Sequence, residues 1–119
     1  MRIKGYKQLI VWQRADQYAF EVYKIAKKFP REERFGLISQ LCRSAISIPT
    51  NIVEGSGRQH KNETKQFVNI ALGSLAETEY LLDFSKRLNY LTEKEYDYLD
   101  AMRDELARLL WGFYRSFTQ

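Results

Sequence analysis

The length, composition and charge of the chain limit the classes of protein to which it can belong. Its 119 residues, 45% of them apolar, suffice for one small domain with a core and are too few for two. Six glycines and two prolines are fewer turn residues than an all-β protein of this size usually needs, which favours an all-α fold. The single cysteine, Cys42, excludes an intrachain disulfide, and no apolar run is long enough for a signal peptide or a membrane span. We therefore expect a cytoplasmic protein that has no membrane partner.

The formal net charge of +4 is distributed unevenly along the chain. Residues 1–34 carry a net charge of +5, residues 35–66 carry +2, and residues 67–119 carry −3. A basic first part and an acidic last part have two interpretations. The basic part attracts nucleic acid, or the two parts attract each other where helices or subunits meet.

The first predicted helix spans about Leu9 to Lys28 and ends before Pro30, which a helix cannot continue through without strain. Its apolar residues alternate between spacings of three and four, so they lie on one face, as in helix bundles. Three of them are alanines, which would let another helix approach closely. The predicted core residues are Trp12, Ala15, Ala19, Val22, Ala26 and Phe29.

The second predicted helix runs from about Glu32 or Arg34 to Gly55, where Gly55 and Gly57 are expected to end it. The apolar spacing continues through Pro49 without a slip, which favours one proline-kinked helix. The alternative is a break at Ser47, with Pro49 in the first turn of a new helix. The predicted core residues of this segment are Ile38, Leu41, Ala45, Ile48 and Ile52.

The third predicted helix, from about Lys61 to Tyr90, is apolar on several sides, and we expect a second subunit to cover part of it. Thr92 and Glu95 have the spacing of a capping box and predict the start of the fourth helix. The turn between these helices is short, so they should be antiparallel neighbours. Residues 1–119 are thus expected to form a single domain, an all-α antiparallel up-down four-helix bundle with a proline-kinked second helix.

The sequence offers little for catalysis or for cofactors. It contains one histidine, His60, and no Glu-x-x-His pair, so the di-iron site of some helical bundles is not expected. The "GSGR" stretch at residues 55–58 lacks the ending of a phosphate-binding loop. His60 stands where the third helix should begin, with Glu63 three residues later, and we interpret it as a weak N-cap. We expect no enzyme activity, no metal and no cofactor.

Polar residues recur on one face of the second helix and, at intervals of four, on the third helix. The simplest interpretation is a solvated face with a Glu54–Arg58 ion pair. The alternative, which we favour, is a polar seam where helices or subunits meet, with Glu54 paired to Arg43 or Arg58. A glycine in mid-helix, Gly73, costs about 1 kcal/mol relative to alanine, which suggests a close backbone approach there. The predicted seam consists of Arg43, Ser47, Asn51, Glu54, Arg58, Asn69, Gly73 and Glu77.

Basic residues concentrate on the first helix and its flanks, and two more follow the second helix. Most charged helix faces are only solvated, but a ring-shaped oligomer would multiply such a patch into a large basic field. No motif for base-specific recognition is present, so any nucleic-acid binding would be salt-dependent and sequence-independent. The candidate nucleic-acid contacts are Lys4, Lys7, Arg14, Lys24, Lys27, Lys28, Arg31, Arg34, Arg58 and Lys61.

Three stretches closely resemble a known family: "LIVWQRA" at residues 9–15, "SQLCRSAISIPTNIVEGSGR" at 39–58 and "FVNIALGSLAETEYLL" at 67–82. The family is named after the 23S rRNA intervening-sequence protein and is also called the S23 ribosomal protein family. The resemblance implies a bacterial four-helix bundle that forms a ring-like homopentamer, with no established biochemical function and a proposed nucleic-acid-binding role. It brings no catalytic residues. Its motif falls on Trp12, Arg43, Pro49, Asn51, Glu54, Gly55, Arg58, Asn69, Gly73 and Glu77.

The family is also similar to the accessory variability determinant proteins of diversity-generating retroelements, which are basic pentamers that bind a reverse transcriptase and nucleic acid. The chain departs from the family pattern at Gln8, where aspartate is frequent, and at His60, where serine or threonine is frequent. Our first hypothesis is a non-enzymatic oligomeric scaffold that binds structured RNA or DNA. The second is a protein-interaction adaptor without a nucleic-acid role, and an enzyme is the third and weakest.

Overall fold

The computed structural model describes residues 5–118, which form four α-helices and no strand. The helices are α1 (Ile10–Ala26), α2 (Leu37–Ser56), α3 (Lys61–Arg87) and α4 (Glu93–Arg115), and single turns of 3₁₀ helix span Gly5–Gln8 and Arg31–Glu33. The prediction of an all-α bundle is confirmed. No described helix is both long and apolar enough to cross a membrane.

Each helix of the bundle packs against two others: α1 and α3 both contact α2 and α4. Contacts between α2 and α3 run in opposite order along the two helices, because Ser47 meets Ser74 whereas Gly55 meets Thr64. The two helices are therefore antiparallel. The described residues extend over 43 × 24 × 20 Å.

The core follows the apolar spacing read from the sequence. On α1, Ala15, Ala19, Val22 and Ala26 are buried, and Trp12 packs partly buried against the core. Four core residues of α2 are completely buried: Leu41, Ala45, Ile48 and Ile52.

The start of α2 at Leu37 is later than the prediction of Glu32 or Arg34, and a contact with the α3–α4 turn accounts for the difference. After Pro30 the chain makes one turn of 3₁₀ helix instead of entering α2. The Glu33 carboxylate then accepts a hydrogen bond from the Leu37 backbone N–H at 3.3 Å, and its other oxygen accepts one from the Tyr90 hydroxyl at 2.9 Å. Glu33 thus caps a backbone donor that has no partner within the helix.

The second helix is continuous through Pro49, which is buried. The alternative of a helix that ends at Ser47 and a new one that begins at Pro49 is therefore wrong. The kink at Pro49 stays a prediction. We had expected Gly55 to end the helix. It lies instead within the last turn and is buried against α3. A Cβ atom on Gly55 would lie 3.0 Å from the Phe67 Cβ, so glycine permits a close approach of the two helices.

Local capping interactions determine where α3 ends and where α4 begins. The third helix ends at Arg87, three residues before the predicted Tyr90, because Asn89 adopts a left-handed conformation with φ of 61°. The predicted capping box at the start of α4 is confirmed: the Thr92 hydroxyl accepts from the Glu95 N–H at 3.0 Å, and the Glu95 carboxylate accepts from the Thr92 N–H at 2.8 Å.

Candidate functional site

Hydroxyl groups join α2 to α3 along part of the predicted seam. The Ser44 and Thr78 hydroxyls share a buried hydrogen bond of 2.8 Å, and the Ser74 hydroxyl donates to that of Ser47 at 2.9 Å. The Asn51 amide donates to both the carbonyl and the hydroxyl of Ser47, at 2.7 and 2.9 Å. One predicted seam residue, Ser47, therefore makes a polar contact between the helices, and a second, Asn51, supports it from within α2.

An open groove of about 500 Å³ lies over these hydroxyls, between α2 and α3. Arg43 and Glu77 line its two sides, and the Arg43 guanidinium donates to the Ser39 hydroxyl at 3.1 Å. Phe35 stands at its edge with 86% of its surface exposed. The groove thus brings together Arg43, Ser47 and Glu77 from the predicted set.

The structure does not show the ion pair expected for Glu54. Glu54 is exposed, and none of the ion pairs among residues 5–118 includes it, Arg43 or Arg58. The Arg58 guanidinium lies instead over the ring of Phe67, 4.6 Å from its centre. An exposed cation–π contact of this kind is worth about 0.5–1 kcal/mol, comparable to an exposed ion pair.

Two predicted seam residues of α3 lie away from α2. Asn69 is exposed and lines a different groove, together with Tyr114 of α4. Gly73 is exposed as well, and a Cβ atom there would meet no described atom of the chain within 4 Å. The close backbone approach expected at Gly73 is therefore not made within the described part of this chain.

Two residues with reactive side chains, His60 and Cys42, occupy structural positions. His60 is the N-cap residue of α3, as predicted, but its side chain makes no capping hydrogen bond, so no capping box forms with Glu63. Cys42 is half-buried, and burial raises the pKa of its thiol, which disfavours the reactive thiolate. Among residues 5–118, no three His, Cys, Asp or Glu side chains are grouped as metal ligands would be.

The basic residues predicted to contact nucleic acid divide into paired and unpaired sets. Arg14 pairs with Glu105 at 3.4 Å, Lys24 with Glu21 at 3.1 Å, and Lys28 with Glu95 at 3.2 Å. Lys4 lies outside the described residues. Six others are exposed and form no ion pair with any described carboxylate: Lys7, Lys27, Arg31, Arg34, Arg58 and Lys61.

Charged and phenolic groups link α4 to α3 in a network that the sequence analysis did not predict. Arg103 pairs with Asp100 at 3.2 Å and with Glu79 at 3.6 Å. The Tyr96 hydroxyl donates to Asp83, and this hydrogen bond raises the pKa of Tyr96 to about 12. The one signal in the sequence is that Asp100 lies three residues before Arg103, a spacing that predicts an ion pair on a helix.

The solvent-facing side of α3 carries large apolar side chains. The exposed fractions are 51% for Ile70, 59% for Tyr80, 37% for Phe84 and 41% for Leu88. The sequence predicted that α3 would be apolar on more sides than one chain covers, and these four residues are the uncovered part.

Comparison with known families gives a match over residues 7–112, to the model described as 23S rRNA-intervening sequence protein. This match covers most of the chain. The chain belongs to the 23S rRNA-intervening sequence protein family. The resemblance read from the three sequence stretches is thereby confirmed.

A solved structure of this family supports the fold. It is a crystal structure of a protein with unknown function from the S23 ribosomal protein family of Bacteroides thetaiotaomicron, 28% identical in sequence. The similarity covers 89% of this chain and 96% of that one, with a TM-score of 0.82. No curated protein matches the chain. Neither family description names a catalytic activity.

Proposed function

We propose that the chain is a non-enzymatic, self-assembling helical-bundle protein that binds the backbone of RNA or DNA. The observation that carries this proposal is the set of six exposed basic residues that have no described carboxylate partner. Such cations remain free to neutralise phosphates and to release the counterions that surround a nucleic acid. Arg34 and Arg58 lie over the rings of Phe35 and Phe67, which orients their guanidinium groups.

The self-assembly part of the proposal is supported by the apolar side of α3. Tyr80, Phe84 and Leu88 recur every four residues and are exposed in the single chain. Contact with a second copy would remove this surface from water, at about 25 cal/mol for each Å² of apolar area. The family resemblance points to five copies, so the expected mass in solution is near five times that of one chain.

Light scattering at micromolar concentration tests the assembly. We expect Tyr80→Glu to produce a smaller species, because it would place a charge in the apolar contact. Phe20→Glu on α1 is the matched control, since Phe20 is 63% exposed and Tyr80 59%, and it should leave the mass unchanged. A wild-type protein of monomeric mass would refute self-assembly.

An electrophoretic shift titration with a structured RNA tests the nucleic-acid part. We expect binding at low salt that weakens steeply as salt rises, because phosphate neutralisation dominates the affinity. Absence of binding at low salt would refute this part of the proposal and leave the assembly part standing.

A second candidate function is a protein-interaction adaptor, favoured by Phe35, whose ring is 86% exposed beside the α2–α3 groove. If the chain is associated with a retroelement, the similarity of its family to accessory variability determinant proteins implies a reverse transcriptase as the partner. Recovery of one dominant protein partner that survives nuclease treatment, and is lost in Phe35→Ala, would favour this function.

A further inference from the structure

An open groove of about 280 Å³ separates the first turns of α3 from the last turns of α4. The Lys65 ammonium lies 5.0 Å from the centre of the Tyr114 ring, and the Trp111 and Tyr114 rings meet at an interplanar angle of 82° with centroids 5.7 Å apart. The groove therefore combines carboxamides, an aromatic ring and a cation. Its lining residues are Asn62, Lys65, Gln66, Asn69 and Tyr114.

Among the described residues, the only charged side chain that lines this groove is the cation of Lys65. No carboxylate lines it, whereas the α2–α3 groove contains Glu77 and the groove between α1 and α2 contains Asp16. Lys61 lies one helical turn before Lys65, and Arg115 directly follows Tyr114. No carboxylate of residues 5–118 forms an ion pair with Lys61, Lys65 or Arg115.

We infer that this groove binds single-stranded nucleic acid, with an unpaired base at Tyr114 and the flanking phosphates at Lys61 and Lys65. The Tyr114 ring offers a surface on which a base stacks, once the flexible Lys65 side chain moves from the ring to a phosphate. Carboxamides both donate and accept hydrogen bonds, so Gln66 and Asn69 can pair with the polar edge of that base.

A duplex would not satisfy these groups, because its bases are already stacked and paired. The inference rests on the proposed nucleic-acid function and assigns that function a place and a ligand class. It moves the principal site from the basic face of α1, where three cations are already paired, to the α3–α4 end of the bundle.

Fluorescence anisotropy of the full chain with labelled oligouridylate and oligothymidylate of about 16 nucleotides, and with a duplex of equal length, tests this inference. We expect both single strands to bind more tightly than the duplex. Replacing both lysines, as Lys61→Gln with Lys65→Gln, should weaken single-strand binding roughly tenfold at about 200 mM salt and lower the salt slope by about 1.4. Tyr114→Leu should weaken it about tenfold, and Tyr114→Phe, which keeps the stacking ring, should not.

The matched control removes two exposed cations from the opposite end of the bundle, as Arg87→Gln with Lys94→Gln. We expect this control to change the dissociation constant for the single strand by less than about threefold, because it alters only the long-range electrostatic field of the protein and no contact in the groove. Circular dichroism and thermal unfolding establish that each variant is folded.

Three results would overturn the inference, and they are distinguishable. Binding lost in Lys27→Gln with Arg31→Gln but kept in the Lys61 and Lys65 variant would place the site elsewhere and leave the proposed function intact. A duplex bound as tightly as the single strands would refute the ligand class. No binding of any probe at low salt would refute the proposed nucleic-acid function itself.

Discussion

Replacing Gly55 by alanine should destabilise the bundle, because α2 and α3 approach each other closely at this residue. The added Cβ would lie 3.0 Å from the Phe67 Cβ and 3.3 Å from the Thr64 carbonyl oxygen. Thr64 is held in place, because it is buried and its hydroxyl donates to the Gly55 carbonyl at 2.9 Å. The helices would have to separate by a few tenths of an ångström.

Gly73→Ala provides the matched reference for the magnitude, because it is the same substitution in a helix where the new Cβ meets no described atom within 4 Å. Removing a mid-helix glycine should raise the free energy of unfolding by about 1 kcal/mol. Overpacking at Gly55 costs about 1–3 kcal/mol, so the Gly55→Ala protein should be less stable than Gly73→Ala by that amount. At about 4 °C per kcal/mol, the two melting temperatures should differ by about 4–12 °C.

Thermal and urea unfolding followed by circular dichroism measure this difference, with both variants compared at the same protein concentration and the comparison repeated at several concentrations. Equal stability of the two variants would refute the close approach at Gly55. If Gly73→Ala instead destabilises the protein, and does so only at concentrations where copies associate, the close approach first expected at Gly73 occurs between subunits.

Three further predictions concern single contacts. Thr92→Ala should lower the free energy of unfolding by about 1 kcal/mol, because the capping box loses its hydroxyl acceptor, and urea unfolding measures it. The hydrogen bond from the Thr92 N–H, with smaller effects from Lys28, lowers the pKa of Glu95. The stability advantage of wild type over Glu95→Gln should therefore be complete above the ordinary glutamate pKa and disappear as the pH falls through the lowered value, which urea unfolding at several pH values would show. The Tyr18 hydroxyl is buried with no hydrogen-bond partner among the described residues, so Tyr18→Phe should leave stability unchanged or raise it by about 1 kcal/mol, and a clear loss in urea unfolding would contradict this.

The helices and their core could be predicted because they depend on periodicity and on neighbours in sequence. Val22 and Ile48 are buried as their spacing requires, and Thr92 and Glu95 cap α4 as their separation of three requires. The start of α2 could not be predicted, because it depends on Glu33, whose carboxylate is held by Tyr90, 57 residues later in the sequence.

The candidate site was predicted less well, for a related reason. Sequence spacing places Glu54 near Arg58 on one helix face, but the choice between Glu54 and the Phe67 ring as the partner of Arg58 depends on α3. Ser44 and Thr78 were missed because small hydroxyls within an apolar stripe resemble ordinary core positions until the opposite helix is known.

The exposed side of α3 carries carboxamide side chains on its first turns and aromatic side chains on its last turns. This difference assigns nucleic-acid binding and assembly to different parts of the helix. Asn62, Gln66 and Asn69 on the first turns are followed, on the same face, by Tyr80 and Phe84. Carboxamides gain little from burial against a second copy, since their hydrogen bonds to water must be replaced, whereas aromatic rings gain by it. Assembly should therefore use the last turns of α3 and leave its first turns free for nucleic acid. If so, Tyr80→Glu should abolish assembly while one chain still binds a single strand. The double variant Lys61→Gln with Lys65→Gln should instead keep the assembly and weaken single-strand binding.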